Sequence, residues 1–324
     1  MRTNLTLFFL IVLELSTSNA QPKFDTTGWV LYIVGKDTLY IRKDTPFDIA
    51  VKAGEYKKAI GLMRTTLRAD PNNAVNNYNL SCIYALMKNP DSAFFFLALS
   101  LRKDSTVFAF SDPDMFSLID DRRWEKLRNA QITKYESKNG KLKNRNLSME
   151  LWNMFIKDQT YFRPSQLLES KFDPEKKRQD SIIKYYQPLW DSNLMELKTI
   201  IKKNGWPMIS DVGKKAALSA FLVIQHGDYE AQKKYEPLIE AAANKGEADW
   251  SDVALLIDRI RVHENKPQLY GSQVRFNETT KQYEPEPIED EQNLDIRRTK
   301  VGLGTATNYY SNWKIKYIVK QNKE

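Results

Sequence analysis

The sequence predicts a mainly α-helical protein. A short N-terminal β-hairpin comes first, then helix-turn-helix repeats, then a mostly helical domain with one β-hairpin. Three observations carry this. A block of residues returns at a constant offset of 34 in the first third of the chain. Beyond residue 147, apolar residues recur at helical spacing in segments that close on Gly or Pro. Period-two alternation of β-branched and aromatic residues is confined to one short stretch near each end.

The chain has 324 residues, 42% hydrophobic and 28% charged, which is a globular composition with room for two cores. Its first twenty residues stand apart. Arg2 opens "MRTNLTLFFLIVLELSTSNA", an apolar run from Leu5 to Leu15 follows, and Ser18 and Ala20 occupy the small-residue positions of a cleavage site. Residues 1–20 are therefore expected to be a signal peptide cut near Ala20, giving an exported protein. The run is about half the length of a membrane-crossing helix, and no later segment is apolar enough to span a bilayer. A single cysteine, Cys82, excludes an internal disulfide and a Cys-based zinc site, and is expected to be buried.

The net charge of +8 raises the question of nucleic acid. Its distribution answers against it. Seven Lys/Arg and one acidic residue lie between Arg297 and Glu324, directly after six acidic residues between Glu284 and Asp295. A basic tail beside an acidic loop points to internal pairing, and no nucleic-acid partner is expected.

Residues 21–44 hold the first hairpin, with strands at Trp29 to Val34 and Thr38 to Arg42 around Gly35-Lys36-Asp37. In residues 45–135, "KAIGLMRTTLRADP" at 58–71 aligns with "SAFFFLALSLRKDS" at 92–105. Ala59 meets Ala93, Leu67 meets Leu101, Arg68 meets Arg102 and Asp70 meets Asp104. A small residue at a helix crossing permits close approach, and Pro71 stops a helix. Ser81 and Tyr84 sit twelve and nine residues before Ala93. This stretch resembles the tetratricopeptide repeat family, which implies antiparallel helix pairs and a protein or peptide partner. The first repeat has Phe47 and Ala50 on its first helix, where the family has a small and an aromatic residue. Met115, Phe116, Leu118, Trp124 and Leu127 are expected to close the stack, and the polar stretch 136–146 to link it to a second domain, 147–324.

In that domain, "LSMELWNMFIKDQTYF" places Leu151, Met154, Phe155 and Phe162 on one face. Further helices are expected up to Gly205, from a cap at Ser210 or Asp211 to Gln225, over "YEAQKKYEPLIEAAANKG", over "SDVALLIDRIRVHENK" and around Asp295, with a hairpin near 268–287. The corner "QHGDYEAQ" has two readings. In the first, Gly227 ends one helix with positive φ, His226 favours the helix carbonyls, and Asp228 caps the next helix. In the second, His226 and Asp228 are a general base and its orienting carboxylate, with Gln225 and Gln232 close by. His263, the other histidine, lies on a distant helix end, so no metal is expected. No Gly-rich phosphate loop or nucleophile elbow is present, and no cofactor is expected.

The ordered series Asp158-Gln159, Gly205-Trp206-Pro207, "QHGDYEAQ", Asp258-Arg259 and "KPQLYGSQ" resembles an uncharacterised family of bacterial domains of unknown function. The resemblance covers about 147–305, with Ser272 where Thr is expected. It implies one polar site formed by Asp158, Gln159, Gln225, His226, Asp228, Gln232, Asp258, Arg259, Gln268, Tyr270, Gly271 and Gln273, with Arg297 and Arg298 as a basic pair. Each residue also has a local reading: Asp258 paired with Arg261 on a helix surface, Gly271 in a bulge, Gln268 and Gln273 bound to backbone. Two functions follow. One is an exported interaction protein whose repeats take a protein or peptide. The other is a hydrolase that uses the His226/Asp228 corner on an envelope or dietary polymer, with an envelope glycan or peptide as ligand.

Overall fold

In the computed structural model, residues 29–34, 37–42, 44–102, 104, 106–161, 177–277, 279–313 and 315–318 are described. The expected signal peptide, the turn residues Gly35 and Lys36, and Phe162 lie outside them. The described chain is mainly helical, with two antiparallel two-stranded sheets. It falls into two compact units. One is Asp44–Ala248; the other is Asp249–Glu324 together with the residues up to Lys43. Among the described residues no helix is long and apolar enough to cross a membrane.

The first unit begins with α1 (Pro46–Lys52), α2 (Tyr56–Ala69), α3 (Ala74–Leu86) and α4 (Pro90–Leu101), each packed on the next. Their starts are written in sequence. Thr45 and Asp48 form a reciprocal capping box before α1, and Asn73 and Asn89 cap α3 and α4. Ala59 and Ala93 are both fully buried, and the Ser81 hydroxyl donates to the Ala93 carbonyl at 2.9 Å. Cys82 is buried. Met115, Leu118 and Trp124 are buried beyond α4, while Phe116 and Leu127 are half-buried.

α5 (Arg122–Asn139) runs into the stretch expected to be a linker, and α6 (Arg145–Gln159) starts before that stretch ends. The two helices are tied there by Glu136, which accepts from the Leu142 N–H at 3.2 Å and pairs with Arg145 at 3.3 Å. Leu151, Met154 and Phe155 are buried, as one helical face requires. α7 (Lys177–Asn204) packs on α6 and ends at Gly205, where φ is +76°.

The single helix expected from Ser210 to Gln225 is two. α8 (Ile209–Val212) and α9 (Lys214–Gln225) are split by Gly213, at φ +84°. The carbonyls released at the break are taken by α6: Asn144 N–H donates to Asp211 O at 2.9 Å, and Ser148 Oγ donates to Val212 O at 2.9 Å. α9 lies against α6 through Ser219, whose hydroxyl donates to Leu151 O at 2.5 Å. α10 (Tyr229–Ala243) completes the unit.

In the second unit, β1 (Trp29–Val34) pairs antiparallel with β2 (Asp37–Arg42). After α11 (Trp250–His263) a loop leads to β3 (Val274–Asn277) and β4 (Gln282–Pro285), registered Val274 to Pro285 and Asn277 to Gln282. The Asn277 side chain accepts from the N–H groups of Thr279 and Thr280, which fixes the turn at its expected place. The strands are shorter than the expected 268–287. α12 (Leu294–Lys300) and α13 (Ala306–Ser311) follow, and the second of these has no counterpart in the sequence reading. Val274, Leu294, Ala306 and Tyr310 form the core here.

Candidate functional site

The expected polar residues fall into two sets, one in each unit. In the first unit the set is built where α6, α7 and the α9–α10 corner meet. Asp158 lies in the last turn of α6 with its side chain 1% exposed, and its Oδ2 is 2.8 Å from His226 Nδ1. Gln159 Nε2 donates to the same oxygen at 2.6 Å, and Trp190 Nε1 on α7 donates to the Asp158 carbonyl at 3.0 Å. The rings of Tyr161 and Trp190 each lie 6.3 Å from the imidazole centroid and touch each other edge-on at 5.3 Å. Asn193, one turn after Trp190, donates to the Met154 carbonyl at 2.9 Å. A buried carboxylate thus holds one face of a histidine against an aromatic wall.

This fixes the chemistry of the ring. An ionised carboxylate only accepts, so the Nδ1 facing it carries the proton and the neutral ring keeps its lone pair on Nε2. Nε2 is buried and has no hydrogen-bond partner among the described residues, as is also true of Asp158 Oδ1 and Asn193 Oδ1. Leaving such groups unpaired costs about 1–3 kcal/mol each. A basic nitrogen oriented by a carboxylate and left with an unpartnered lone pair is the arrangement that takes a proton from a substrate or water that reaches it.

The carboxylate expected to orient His226 is not the one that does so. Asp228 Oδ1 accepts from the Ala231 N–H at 2.6 Å as the cap of α10, and its other oxygen lies 3.9 Å from Lys198 Nζ. Its side chain is 60% exposed and points out of the corner. Residue spacing favoured Asp228 because it is two residues away, but the helix start claims its oxygens. Gly227 is a second correction. Its φ is not positive; a Cβ there would sit tightly against the Val223 and Ile224 carbonyls at 3.2 Å and Leu194 at 3.3 Å. Gln232 donates to the carbonyls of Gln225 and Gly227, both at 3.0 Å, so it braces the corner. Gln225 is fully buried in the last turn of α9.

In the second unit the set builds a loop. Asp258 on α11 accepts from the N–H groups of Leu269, Tyr270 and Ser272 at 2.7–3.2 Å. It does not pair with Arg261, which reaches the Pro267 carbonyl and Glu289 instead. Burial pushes the Asp258 carboxyl above its ordinary value, against the pull of those three donors. The loop's carbonyls are equally occupied: Leu269 by Arg297, Tyr270 by Arg298, Ser272 by Tyr309, Gln273 by Gln268. Gln268 Oε1 accepts from the Gln273 N–H at 2.8 Å, and Gln273 Nε2 donates to Ser272 Oγ at 2.9 Å. Gly271 sits at φ +63° in this loop, outside the strands, so it marks a turn and not a bulge. Arg259 is half-buried on α11, where its charge acts on Tyr309. Arg298 is buried, which lowers its pKa, and also donates to the Gly304 carbonyl at 2.6 Å. Arg297 pairs with Asp290 of the acidic loop at 3.2 Å, a pairing of tail and loop of the kind expected. The Gln268 side chain therefore holds backbone in place, while Tyr270 is held through its own backbone N–H and carbonyl.

Trp190, Tyr161 and Asn193 were missed in the sequence. Their signal was a tryptophan and an asparagine one turn apart on α7, visible only once the facing helix is known. Among the described residues no group of three His, Cys, Asp or Glu side chains is placed to hold a metal ion.

A family model described as a family of unknown function, DUF6624, matches residues 146–321, more than half of the chain. The chain belongs to the DUF6624 family. The DUF6624 span begins at α6 and includes both polar sets, and the helices α1 to α5 precede it. No curated protein and no solved structure matches the chain significantly.

Proposed function

We propose that the DUF6624 region acts as a hydrolase in an exported bacterial protein, with His226 as general base and Asp158 as the carboxylate that orients it. The observation that carries this reading is the 2.8 Å contact between Asp158 Oδ2 and His226 Nδ1, with Nε2 left without a partner. Nε2 would take a proton from water as that water attacks the scissile bond, then return it to the leaving group. The substrate class is an envelope or dietary glycan or peptide, in keeping with export through the expected signal peptide. Purified protein incubated with envelope sacculi, plant polysaccharides and proteins should release reducing ends or amines. His226→Gln and Asp158→Asn should each lower the rate by about 10²- to 10⁴-fold, and Asp228→Asn should leave it near the parent level. A parent activity retained in His226→Gln would remove the reading.

The helices before the DUF6624 region favour a second, compatible role. The 34-residue offset between fully buried Ala59 and Ala93 supports tetratricopeptide-like packing. Phe95, Val75 and Ile49 are exposed on these helices, apolar surface of the kind that binds a protein or peptide partner.

A further inference from the structure

Resting on the reading of Asp158 and His226 as a paired base, we infer that Gln159 is a positioning residue for His226: its side-chain amide shares Asp158 Oδ2 with the imidazole and sets how strongly the carboxylate holds the ring. Gln159 Nε2 donates to Asp158 Oδ2 at 2.6 Å, and His226 Nδ1 lies 2.8 Å from the same oxygen. Asp158 Oδ1 is buried and takes no hydrogen bond among the described residues. Two donors thus meet one oxygen while its twin meets none. The Asp158 side chain is buried, so bulk water is kept from it, and among the described residues these two donors are all that its carboxylate meets.

The main chain makes this arrangement stiff. Trp190 Nε1 donates to the Asp158 carbonyl at 3.0 Å, and Asn193 Nδ2 donates to the Met154 carbonyl at 2.9 Å. The last turn of α6 is therefore fixed on α7, and the carboxylate is left to turn only about its own side-chain bonds. Gln159 follows Asp158 directly, and its amide, carried on two methylenes, reaches back to that carboxylate. A buried carboxylate depends on the few donors it has, and in a low-dielectric interior hydrogen bonds polarise one another. Two donors on one oxygen draw on the same electron density, so each weakens the bond of the other. The amide bond is the shorter of the two and lies at the short end of N–H···O distances, so its share is not small. A glutamine that only filled space at the end of α6 would have no such coupling to the imidazole.

The test needs no substrate. It follows the His226 Nδ1–H proton in the ¹⁵N-labelled full chain at a pH where the ring is neutral, because a stronger bond to a carboxylate moves that proton downfield. Gln159→Met keeps the length of a half-buried side chain and removes its donor. The Nδ1–H signal should move downfield of the parent. A coupling between two groups is reciprocal, so in His226→Phe the Gln159 side-chain amide should move downfield as well. An Nδ1–H signal that is unmoved or moves upfield in Gln159→Met, or a Gln159 amide unmoved in His226→Phe, would overturn the role of Gln159 and leave the Asp158–His226 pair standing. A parent with no downfield Nδ1–H signal would overturn the pair and this inference together.

Discussion

Replacing Gly271 by alanine should destabilise the second unit, and removing one oxygen elsewhere should restore much of the loss. Gly271 has φ +63°, a left-handed conformation that is about 1–2 kcal/mol unfavourable for a residue with a Cβ. A Cβ built there would lie 2.7 Å from the Tyr310 hydroxyl oxygen and 3.3 Å from the Leu294 side chain. Overpacking of this sort costs about 1–3 kcal/mol, so Gly271→Ala should lose about 2–5 kcal/mol. The Tyr310 hydroxyl is buried without a partner among the described residues, and burial holds it well above the ordinary tyrosine range. Tyr310→Phe alone should therefore be neutral or slightly stabilising. In the Tyr310→Phe background, Gly271→Ala should cost only the backbone part, about 1–2 kcal/mol. The assay is urea denaturation of the four proteins of the cycle. Additive effects, or an unperturbed Gly271→Ala, would refute the packing described for this loop.

Three further outcomes are expected. Ala93→Phe should overpack the α3–α4 crossing and lower stability by about 1–3 kcal/mol in thermal denaturation, because Ala93 is fully buried and its carbonyl accepts from Ser81. Asp228→Asn should change stability by no more than a few tenths of a kcal/mol in denaturant titration, because asparagine caps a helix as well as aspartate. Burial, then the neighbouring charge of Glu240, raise the Glu236 carboxyl above its ordinary value. A carboxyl with a raised folded pKa favours the fold below its unfolded pKa and loses that advantage as pH rises through the folded one. Glu236→Gln should thus raise the melting temperature at pH 7 and leave it unchanged relative to parent at pH 3.

The helices were legible wherever an apolar stripe met a cap or a stop. Asp228 marks a start, and Gly205 marks an end. Gly213 was read through because a lone glycine inside an apolar pattern is usually tolerated; its break is decided by Asn144 and Ser148 on another helix. α13 was hidden because its burial depends on Ala306 and Tyr310, two residues too few for a periodic signal. The site was legible in its histidine and in Asp158, but not in their partnership. Sequence proximity placed Asp228 with His226, whereas the pair that forms is separated by 68 positions. Asp258, Gln268 and Gln273 were legible as special residues, and the structure gives their use as hydrogen bonds to a loop with few regular backbone bonds of its own.

The most direct measurement is the tautomer of His226, read from long-range ¹H–¹⁵N correlations at a pH where the ring is neutral. Only two histidines are present, so the two ring signals are readily assigned. If Asp158 holds Nδ1–H and frees Nε2 as the basic atom, His226 in the parent should be in the Nδ1–H form, and Asp158→Ala should shift it towards the tautomer mixture of a free histidine. A parent His226 protonated on Nε2, or a tautomer indifferent to Asp158→Ala, would contradict the account of this site.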